Sequence, residues 1–418
     1  MDQSASNVPF RVPSTVMDSV RTAQTGVGRT APTGVGRQAR ALRNDARILD
    51  AAARIAASEG WAALVPSRVA AQSGLVRSTI QDRFRDRSAL GVALWRARCG
   101  PSLSGELHRL IDASDDDAVV QAMHRLTATS DELLAAGELL VAAHYDHSLR
   151  AVVNEDLGRE IRDWCGSADE VANARAGYLL MVGIGLLLAA RRTGAAGLEW
   201  TSIAQALGEA RTVALKPATL PEATAPHITG ELDLAPDDPP LNALLNAALR
   251  EIGSLGFEGA SVDRITRASQ NTKGLLFSRF PSKLELFLEA TRRQQTMAFA
   301  ANDAFLQEVA QGHGRGIAEA VAIRELQKPH LAYARSIAME QLRLSWHNRE
   351  LKAAQEADLD AVVAALAESG GSRFPDTAPV VHFAYAVGLG MAALPLLLPG
   401  SWELPYDVMT VPLVDMGL

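Results

Sequence analysis

The sequence predicts an all-α protein made of two tandem units, each a three-helix head followed by a helical body. The first observation is a repeat: residues 60–84 have a second copy 196 residues later, at 256–280. The second is apolar spacing, because residues ahead of each copy recur every three to four positions, as on the buried face of a helix. The third is that few stretches show the alternation typical of strands. A repeat at a fixed offset indicates a duplicated structural unit.

The bodies carry a weaker version of the same repeat. The motif VGIG at 182–185 recurs as VGLG at 387–390, an offset of 205. At an offset of 202, the residues that recur are Leu149, Asp156 and Leu157, which match Leu351, Asp358 and Leu359. The drift of the offset in one direction indicates a few loop insertions. The sequence therefore predicts that the whole unit was duplicated, and not the head alone.

Composition sets the boundaries of these units. Six prolines between residues 216 and 240 stop helices and predict a linker. Residues 1–38 are rich in Ser, Thr, Gly and Arg and cannot bury enough surface to fold. The predicted segments are a disordered basic tail at 1–38, a first head at 39–98, a first body at 99–215, the linker at 216–240, a second head at 241–293 and a second body at 294–418.

The formal net charge of −7 is unevenly distributed. Residues 37–98 hold twelve arginines and five acidic residues, a net +7, whereas 237–293 and 1–36 each carry +1. The rest of the chain carries −16. Positive charge concentrated in the heads is typical of a surface that meets a nucleic-acid backbone.

Other classes of site find little support. The two cysteines, Cys99 and Cys165, are too few for a disulfide framework and favour a reducing cytoplasm. The N-terminus lacks the basic start and apolar core of a signal peptide. No phosphate-binding loop or nucleophile elbow is found, so we expect neither enzyme activity nor a cofactor. His144 and His147 share a helix face without a third metal ligand, which favours a polar patch or a pocket wall over a metal site.

Two apolar runs raise the question of a membrane. The run at 178–190 is too short for the ~20 residues that a spanning helix needs. The run at 379–399 is long enough, but it contains His382 and Pro395 and aligns with the shorter one. We therefore expect two buried helices at a seam between the halves, where the paired glycines allow close approach of their backbones.

The heads have the local features of a helix-turn-helix. A first helix ends in Gly60-Trp61 or Gly256-Phe257, and glycine suits the left-handed residue that ends a helix. After a second helix, Gly74 or the pair Gln270-Asn271 supplies a turn. Recognition helices are predicted at 77–84 and 273–280. In each, an apolar residue and a closing Phe four positions later face the core, namely Ile80 with Phe84 and Leu276 with Phe280.

On these residues the heads resemble the tetracycline-repressor (TetR) family of bacterial regulators, over 47–98 and 243–293. The resemblance implies double-stranded operator DNA as a partner, read by recognition helices in successive major grooves. It also implies a helical body that binds a small-molecule effector and changes the spacing of the heads. Helices around 120–190 and 320–395 would line that pocket, whose residues the sequence leaves unknown.

The residues expected to contact DNA face outward from the recognition helices or follow them. In the first head they are Arg77, Ser78, Thr79, Gln81, Asp82, Arg83 and Arg87. In the second they are Thr272, Lys273, Gly274, Leu275, Phe277, Ser278, Arg279 and Lys283. Arg and Gln can pair with guanine and adenine. The cations that begin or follow each helix are expected to anchor phosphates, namely Arg77, Lys273, Arg87 and Lys283.

The helix caps differ between the heads. Asp86 and Ser282 are equivalent caps for the fourth helix, and Thr272 caps the second recognition helix, but Val76 cannot cap the first. The greater positive charge makes the first head the stronger candidate for DNA binding.

Taken with the repeat, the resemblance implies a ligand-responsive transcriptional repressor that acts as a monomeric pseudo-dimer on unlike half-sites. Two alternatives stay open. In one, the second head is degenerate and the chain binds DNA as a homodimer through its first head. In the other, the body is a partner-binding module or an enzyme, although the missing catalytic motif argues against the enzyme. For the tail, the alternative to a plain flexible segment is a basic arm that enters the DNA minor groove.

Overall fold

Helices account for most of the residues that the computed structural model describes, which are 33–128, 130–191, 197–223, 231–369, 374 and 376–418. No β-strand occurs among these residues, and the all-α prediction is confirmed.

The first half begins with the helices of its head and continues through its body. Its helices are α1 (Thr33–Glu59), α2 (Pro66–Ser73), α3 (Arg77–Gln81), α4 (Arg87–Leu94), α5 (Gly100–Ile111), α6 (Asp116–Leu126), α7 (Asp131–Ala142), α8 (His147–Trp164), α9 (Glu170–Ala189) and α10 (Thr201–Thr212). A π-helical turn at Trp95–Cys99 joins α4 to α5. It ends two residues before Pro101, which has no N–H to donate to the turn before it.

The second half follows the same order. Its helices are α11 (Pro239–Gly259), α12 (Val262–Ala268), α13 (Lys273–Arg279), α14 (Lys283–His313), α15 (Arg315–Gln327), α16 (Ala332–His347), α17 (Arg349–Ser369), α18 (Thr377–Leu397) and α19 (Asp407–Asp415). Here α14 is one helix of 31 residues where the first half has α4, the π-helical turn and α5.

Helix α1 begins at Thr33, inside the segment 1–38 that the sequence predicts to be a disordered tail. The Arg, Gln, Ala and Leu residues at 37–42 favour helix, which explains the early start. The rest of the tail, for which a groove-binding arm is the alternative, lies outside the described residues.

Helices α9 and α18 cross at two glycines, one from each half. A Cβ atom at Gly185 would lie 1.7 Å from the carbonyl oxygen of Ala386, and one at Gly390 would lie 2.0 Å from that of Met181. No side chain fits at either position, so the two backbones are in direct contact. The close approach expected from the paired glycines is present, although at Gly388 a Cβ would meet nothing within 4 Å.

The same two helices are long and apolar enough to cross a membrane by length and composition alone. In the protein most of the apolar stretch of α9 and just over half of that of α18 is buried. Both helices contribute to the largest hydrophobic cluster, which extends from the first head through the first body into α18 and α19. Their apolar character is therefore explained by packing within the chain.

The predicted linker packs against the second half at both ends. Leu232 is buried in the core of the second head. The N–H of Ala218 donates to Oδ2 of Asp407 at 2.7 Å, and Arg324 donates to the carbonyl of Pro221 at 2.7 Å. These ends are not the open spacer that their prolines predict, because their backbone groups and apolar side chains find partners in the folded body. Residues 224–230 lie outside the described part.

Candidate nucleic-acid interface

The turn between α2 and α3 in the first head depends on a glycine. Gly74 ends α2 in the left-handed region, with φ of 64°, as its residue type predicts. Arg47 of α1 donates to the carbonyl of Ser73 at 2.6 Å. This bond gives a hydrogen-bond partner to one of the carbonyls that the C-terminal end of α2 leaves unpaired. The turn is thereby fixed to the long first helix.

The equivalent turn of the second head has no glycine. Gln270 takes the left-handed conformation there, with φ of 55°, while Asn271 follows it and donates to the carbonyl of Ser269 at 2.9 Å. A residue with a side chain adopts this conformation at some cost in free energy. The predicted Gln270-Asn271 pair forms the turn, and the strained residue is the glutamine.

The two recognition helices differ in length and in capping. Helix α3 has five residues and ends at Gln81, three short of the predicted end, whereas α13 has seven. The hydroxyl of Thr272 accepts the N–H of Leu275 at 3.1 Å, whereas Val76 makes no side-chain cap. The predicted difference in capping is confirmed, as are the caps at Asp86 and Ser282. The missing cap helps explain the shorter α3.

Exchanging these caps should move the local stability of the heads in opposite directions. We expect Val76→Thr to raise the free energy of local opening of α3 by about 1 kcal/mol, so that its amides exchange more slowly. Thr272→Val should lower the free energy of local opening of α13 by a similar amount. Peptide-resolved hydrogen exchange measures both. Exchange changes of the same sign in the two variants would contradict the assignment.

Most of the residues predicted to face outward do so. Exposed positions in the first head are Arg77, Ser78, Gln81, Asp82 and Arg83, and in the second Thr272, Lys273, Gly274, Phe277, Ser278 and Arg279. Thr79 is half-buried. Leu275 is also half-buried and packs against the core of the second head beside Leu276, which corrects its assignment to the outer face. An apolar side chain next to the core lowers its free energy by turning inward.

The cations of the second recognition helix are paired with acidic groups of their own head. Lys273 pairs with Asp263, and Arg279 pairs with Asp238, the residue that caps α11. Exposed pairs of this kind contribute only ~0–1 kcal/mol, so a phosphate or a base can replace the carboxylate at little cost. The side chains stay available to DNA although the head is nearly neutral.

The two cations that follow the recognition helices lie over the aromatic residue of the first turn. Arg87 lies 5.7 Å from the ring centre of Trp61, and Lys283 lies 4.0 Å from that of Phe257. Lys283 also donates to the carbonyls of Phe257 and Ala260, and its burial lowers its pKa. Lys283 is half-buried and its ammonium is held by two carbonyls of its own head, which disfavours the expected phosphate contact.

Residues 244–290 match the family model for bacterial regulatory proteins of the tetR family. The matched range begins in α11 and ends in α14, so it covers the second helix-turn-helix with its turn and its recognition helix. No curated protein matches the chain. The match supports a family of helix-turn-helix transcriptional regulators and falls on the head that the charge distribution ranks second.

Each head is held to its body by a buried carboxylate. The N–H of Trp61 donates to Oε1 of Glu138 at 2.7 Å, and the N–H of Phe257 donates to Oε1 of Glu340. Both glutamates are fully buried. Gly60 and Gly256, which precede the two aromatic residues, have φ of 86° and 74°. We call these two contacts, Trp61 with Glu138 and Phe257 with Glu340, the head–body joints. The two joints are alike in donor, acceptor and backbone conformation.

The opposite half contacts each joint as well. A Cβ atom at Gly60 would lie 2.6 Å from Nε2 of His347 in α16, and one at Gly256 would lie 3.2 Å from the ring of Tyr145. The orientation of each head is thus set jointly by both bodies.

Arg343 connects the two carboxylates. Its guanidinium lies 2.8 Å from Oε1 of Glu340 and 3.5 Å from Oε1 of Glu138, and it also pairs with Glu258 of the second head. Burial alone would lower the pKa of Arg343, but the hydrogen bond with Glu340 and the three acidic charges outweigh it and raise the pKa. Buried charges that are paired and hydrogen-bonded in this way are tolerated inside proteins.

The Glu138 carboxylate also has partners besides Arg343. Nε2 of His347 lies 3.1 Å from its Oε2, and Arg191 lies 3.8 Å away. Burial raises the pKa of Glu138, but the bond and charge of His347 with the charges of Arg343 and Arg191 hold it below its ordinary value of 4.5. Because the pKa of Glu138 is lower in the folded protein than in the unfolded chain, its ionised form stabilises the fold at pH values above the ordinary pKa of 4.5. This stabilisation is lost as the pH falls through the lowered pKa of the folded protein.

Sequence reasoning did not identify these joint residues. A signal was present for two of them, because Glu138 stands alone among Ala, Gly and Leu, and Glu340 occupies the matching position at an offset of 202. Arg343 has no such signal, since its counterpart at that offset is Val141. Between His144 and His147, Asp146 caps α8 by accepting the N–H of Leu149, and among the described residues no group of three or more His, Cys, Asp or Glu could hold a metal ion.

Proposed function

We propose that the chain is a cytoplasmic, ligand-responsive transcriptional repressor that binds operator DNA through both heads, as an intramolecular pseudo-dimer. The observation that carries the proposal is the pair of equivalent joints, in which Glu138 and Glu340 hold the aromatic residues of the two heads. A chain with one functional head has no evident need for two such joints on bodies that meet at the α9–α18 crossing.

The geometry of recognition follows from the two exposed helix faces. Two recognition helices that enter successive major grooves lie about 34–36 Å apart. The α3 face offers Arg77 and Gln81, and the α13 face offers Lys273 and Phe277, so their preferred bases differ. The preferred operator therefore has unlike half-sites.

The body offers a site for an effector. A cavity of about 270 Å³ lies among α14, α15, α16 and α18 of the second body, and part of it falls in the predicted range 320–395. Arg335 of α16 lines it, and the same helix carries Glu340 and Arg343 of the joints one to two turns later. A ligand that binds two positions of α16 unequally shifts the heads between two spacings.

The decisive experiment combines selection of DNA with the mass of the complex. Double-stranded DNA selected from a random library should yield an asymmetric site that binds one chain, as judged by footprinting and light scattering. A perfect inverted repeat occupied by two chains would overturn the pseudo-dimer. The family match on 244–290 alone favours a second candidate, a homodimer that reads DNA through its second heads. That inverted repeat is the result it requires.

Paired substitutions in the two heads should affect different half-sites. We expect Arg77→Ala with Arg83→Ala, and Lys273→Ala with Arg279→Ala, each to weaken binding by about tenfold or more, because a specific base contact contributes ~1–3 kcal/mol. Each pair should also reduce the salt dependence of binding. Fluorescence anisotropy on the selected DNA and on half-site mutants measures this.

Arg159→Ala is the matched control, because Arg159 is an exposed cation on α8 of the first body. It should leave DNA affinity unchanged. If only one of the two double variants loses binding, the head that carries the other double substitution does not read DNA.

A further inference from the structure

Two adjoining cavities meet at α16. One, of about 340 Å³, lies between the halves and is lined by His144, Arg150 and Asn154 of the first half together with Arg335. The other, of about 270 Å³, is the cavity of the second body. Both include Arg335 and Ala392 in their walls, so they are neighbours on either side of these residues.

The cavity of the second body is apolar in character. Leu326, Leu331, Ala338 and Met391 are among its lining residues, and Phe299, also in its wall, is 72% exposed. The cavity is therefore reached from solvent beside Phe299. An engineered cavity of about 150 Å³ holds benzene, so this space suits an apolar body of roughly ten carbon atoms.

The cavity between the halves has two cations without an acidic partner. Arg335 donates to the carbonyls of Leu326 and Lys328, at 2.8 Å each, and Arg150 donates to those of Ala143 and His144. Among the described residues neither guanidinium forms an ion pair. Burial lowers the pKa of Arg335 to about 10, which still leaves it charged near neutral pH. Two unpaired cations beside one cavity favour an anionic occupant.

Two buried polar atoms in the same wall have no partner within the protein. They are Nε2 of His144 and Oδ1 of Asn154. Burial, followed by the charges of Arg150 and Arg335, lowers the pKa of His144 to about 3, so the ring is neutral and can donate through Nε2 in one tautomer. The amide of Asn154 offers its nitrogen after a half turn. Buried polar atoms normally have a partner, and here a ligand with acceptor oxygens would supply one.

We propose that this chain binds one apolar carboxylate, with its acid group between Arg335 and Arg150 and its apolar body in the cavity of the second body. The proposal rests on the proposed function, since it gives the chemical class of the effector. It implies one ligand per chain and a site that needs residues of both halves. It also connects the ligand to a joint, because the hydroxyl of Tyr145, which packs on Gly256, donates to the carbonyl of Ser336 at 3.1 Å beside Arg335.

The test compares three probes of matched chemistry by isothermal titration calorimetry on the free protein. Decanoate should bind with a stoichiometry of one, decan-1-ol should bind about tenfold or more weakly, and acetate should not bind, because both the charge and the apolar body are needed. Equal affinity for decanoate and decan-1-ol, or no binding of either, would overturn the proposal.

Variants locate the site. Arg150→Gln and Arg335→Gln should each weaken decanoate binding by about tenfold while leaving that of decan-1-ol nearly unchanged. Gly388→Leu should abolish binding of both, because its side chain enters the cavity of the second body from a position where a Cβ meets nothing within 4 Å. Arg159→Gln, the same change on the helix of Arg150 but outside the cavity, should bind like the unaltered protein. Decanoate binding that survives Gly388→Leu and both Arg→Gln changes would show a different site.

A second readout separates this inference from the proposed function. Decanoate should weaken binding to the selected DNA, and Gly388→Leu should remove that response. If decanoate binds as described but DNA affinity does not change, the ligand class stands and the regulatory role fails. If DNA binding is as proposed but decanoate does not bind, the ligand class fails and the regulator stands.

Discussion

Gly185→Ala and Gly390→Ala should each destabilise the protein by about 3 kcal/mol, the upper range for overpacking a buried site. The added methyl group would lie 1.7 Å from the carbonyl oxygen of Ala386 in the first variant and 2.0 Å from that of Met181 in the second. These obstacles are backbone atoms of a neighbouring helix, so no rotamer change relieves the overlap. The helices α9 and α18 must move apart, which opens the packing between the two halves.

The same substitution at Gly388 is the control. Its Cβ meets nothing within 4 Å, and alanine is preferred over glycine inside a helix, so Gly388→Ala should raise stability by up to ~1 kcal/mol. Urea unfolding followed by circular dichroism compares the three variants. Equal effects at Gly388 and Gly390, two residues apart on one helix, would contradict direct backbone contact at the crossing.

Apart from the close approach of α9 and α18, the features that the sequence predicted correctly depend on neighbouring residues. The caps at Thr272, Asp86 and Ser282, the missing cap at Val76 and the left-handed turn at Gly74 each follow from one side chain and the backbone within four positions. The buried faces at Ile80 and Leu276 follow from helical spacing. Such features can be predicted from the local sequence without knowledge of any tertiary contact.

Most of the features that it missed depend on residues far apart in the chain. Lys283 looks like a free cation until the carbonyls of Phe257 and Ala260 are placed beside it. Gly388 and Gly390 look alike in the repeat, yet only Gly390 meets another backbone, because the crossing point depends on the angle between α9 and α18. The boundary at 1–38 was wrong for residues 33–38, where helix propensity outweighs the low-complexity composition.

The ranking of the heads shows a different limit. Net charge favours the first head, whereas the family match and the capped, longer recognition helix belong to the second. Net charge determines the non-specific attraction to phosphates. The shape of the helix-turn-helix determines how side chains are placed against the bases. The two criteria measure different parts of binding, so both heads remain in the proposed function.

Arg343→Met should destabilise the protein by about 3–5 kcal/mol, the usual result of removing one partner from a buried ion pair. Its side chain is 5% exposed, and its loss leaves two fully buried carboxylates with fewer partners. Glu138 keeps Arg191 and His347, whereas Glu340 keeps the N–H of Phe257. The second head should therefore lose more protection from hydrogen exchange than the first.

A double substitution distinguishes the loss of a charge partner from a general loss of packing. Glu340→Gln made together with Arg343→Met should be less harmful than the two single effects added, because the amide removes the uncompensated charge and still accepts the N–H of Phe257. Arg349→Met, at an exposed arginine six residues along the chain, should change stability by less than ~0.5 kcal/mol. Strict additivity of the two buried substitutions, with equal loss of protection in both heads, would mean that Arg343 acts by packing and not by joining the heads. The predicted result, less than the additive loss, would instead show that Arg343, which has no counterpart in the first half, links the two head–body joints.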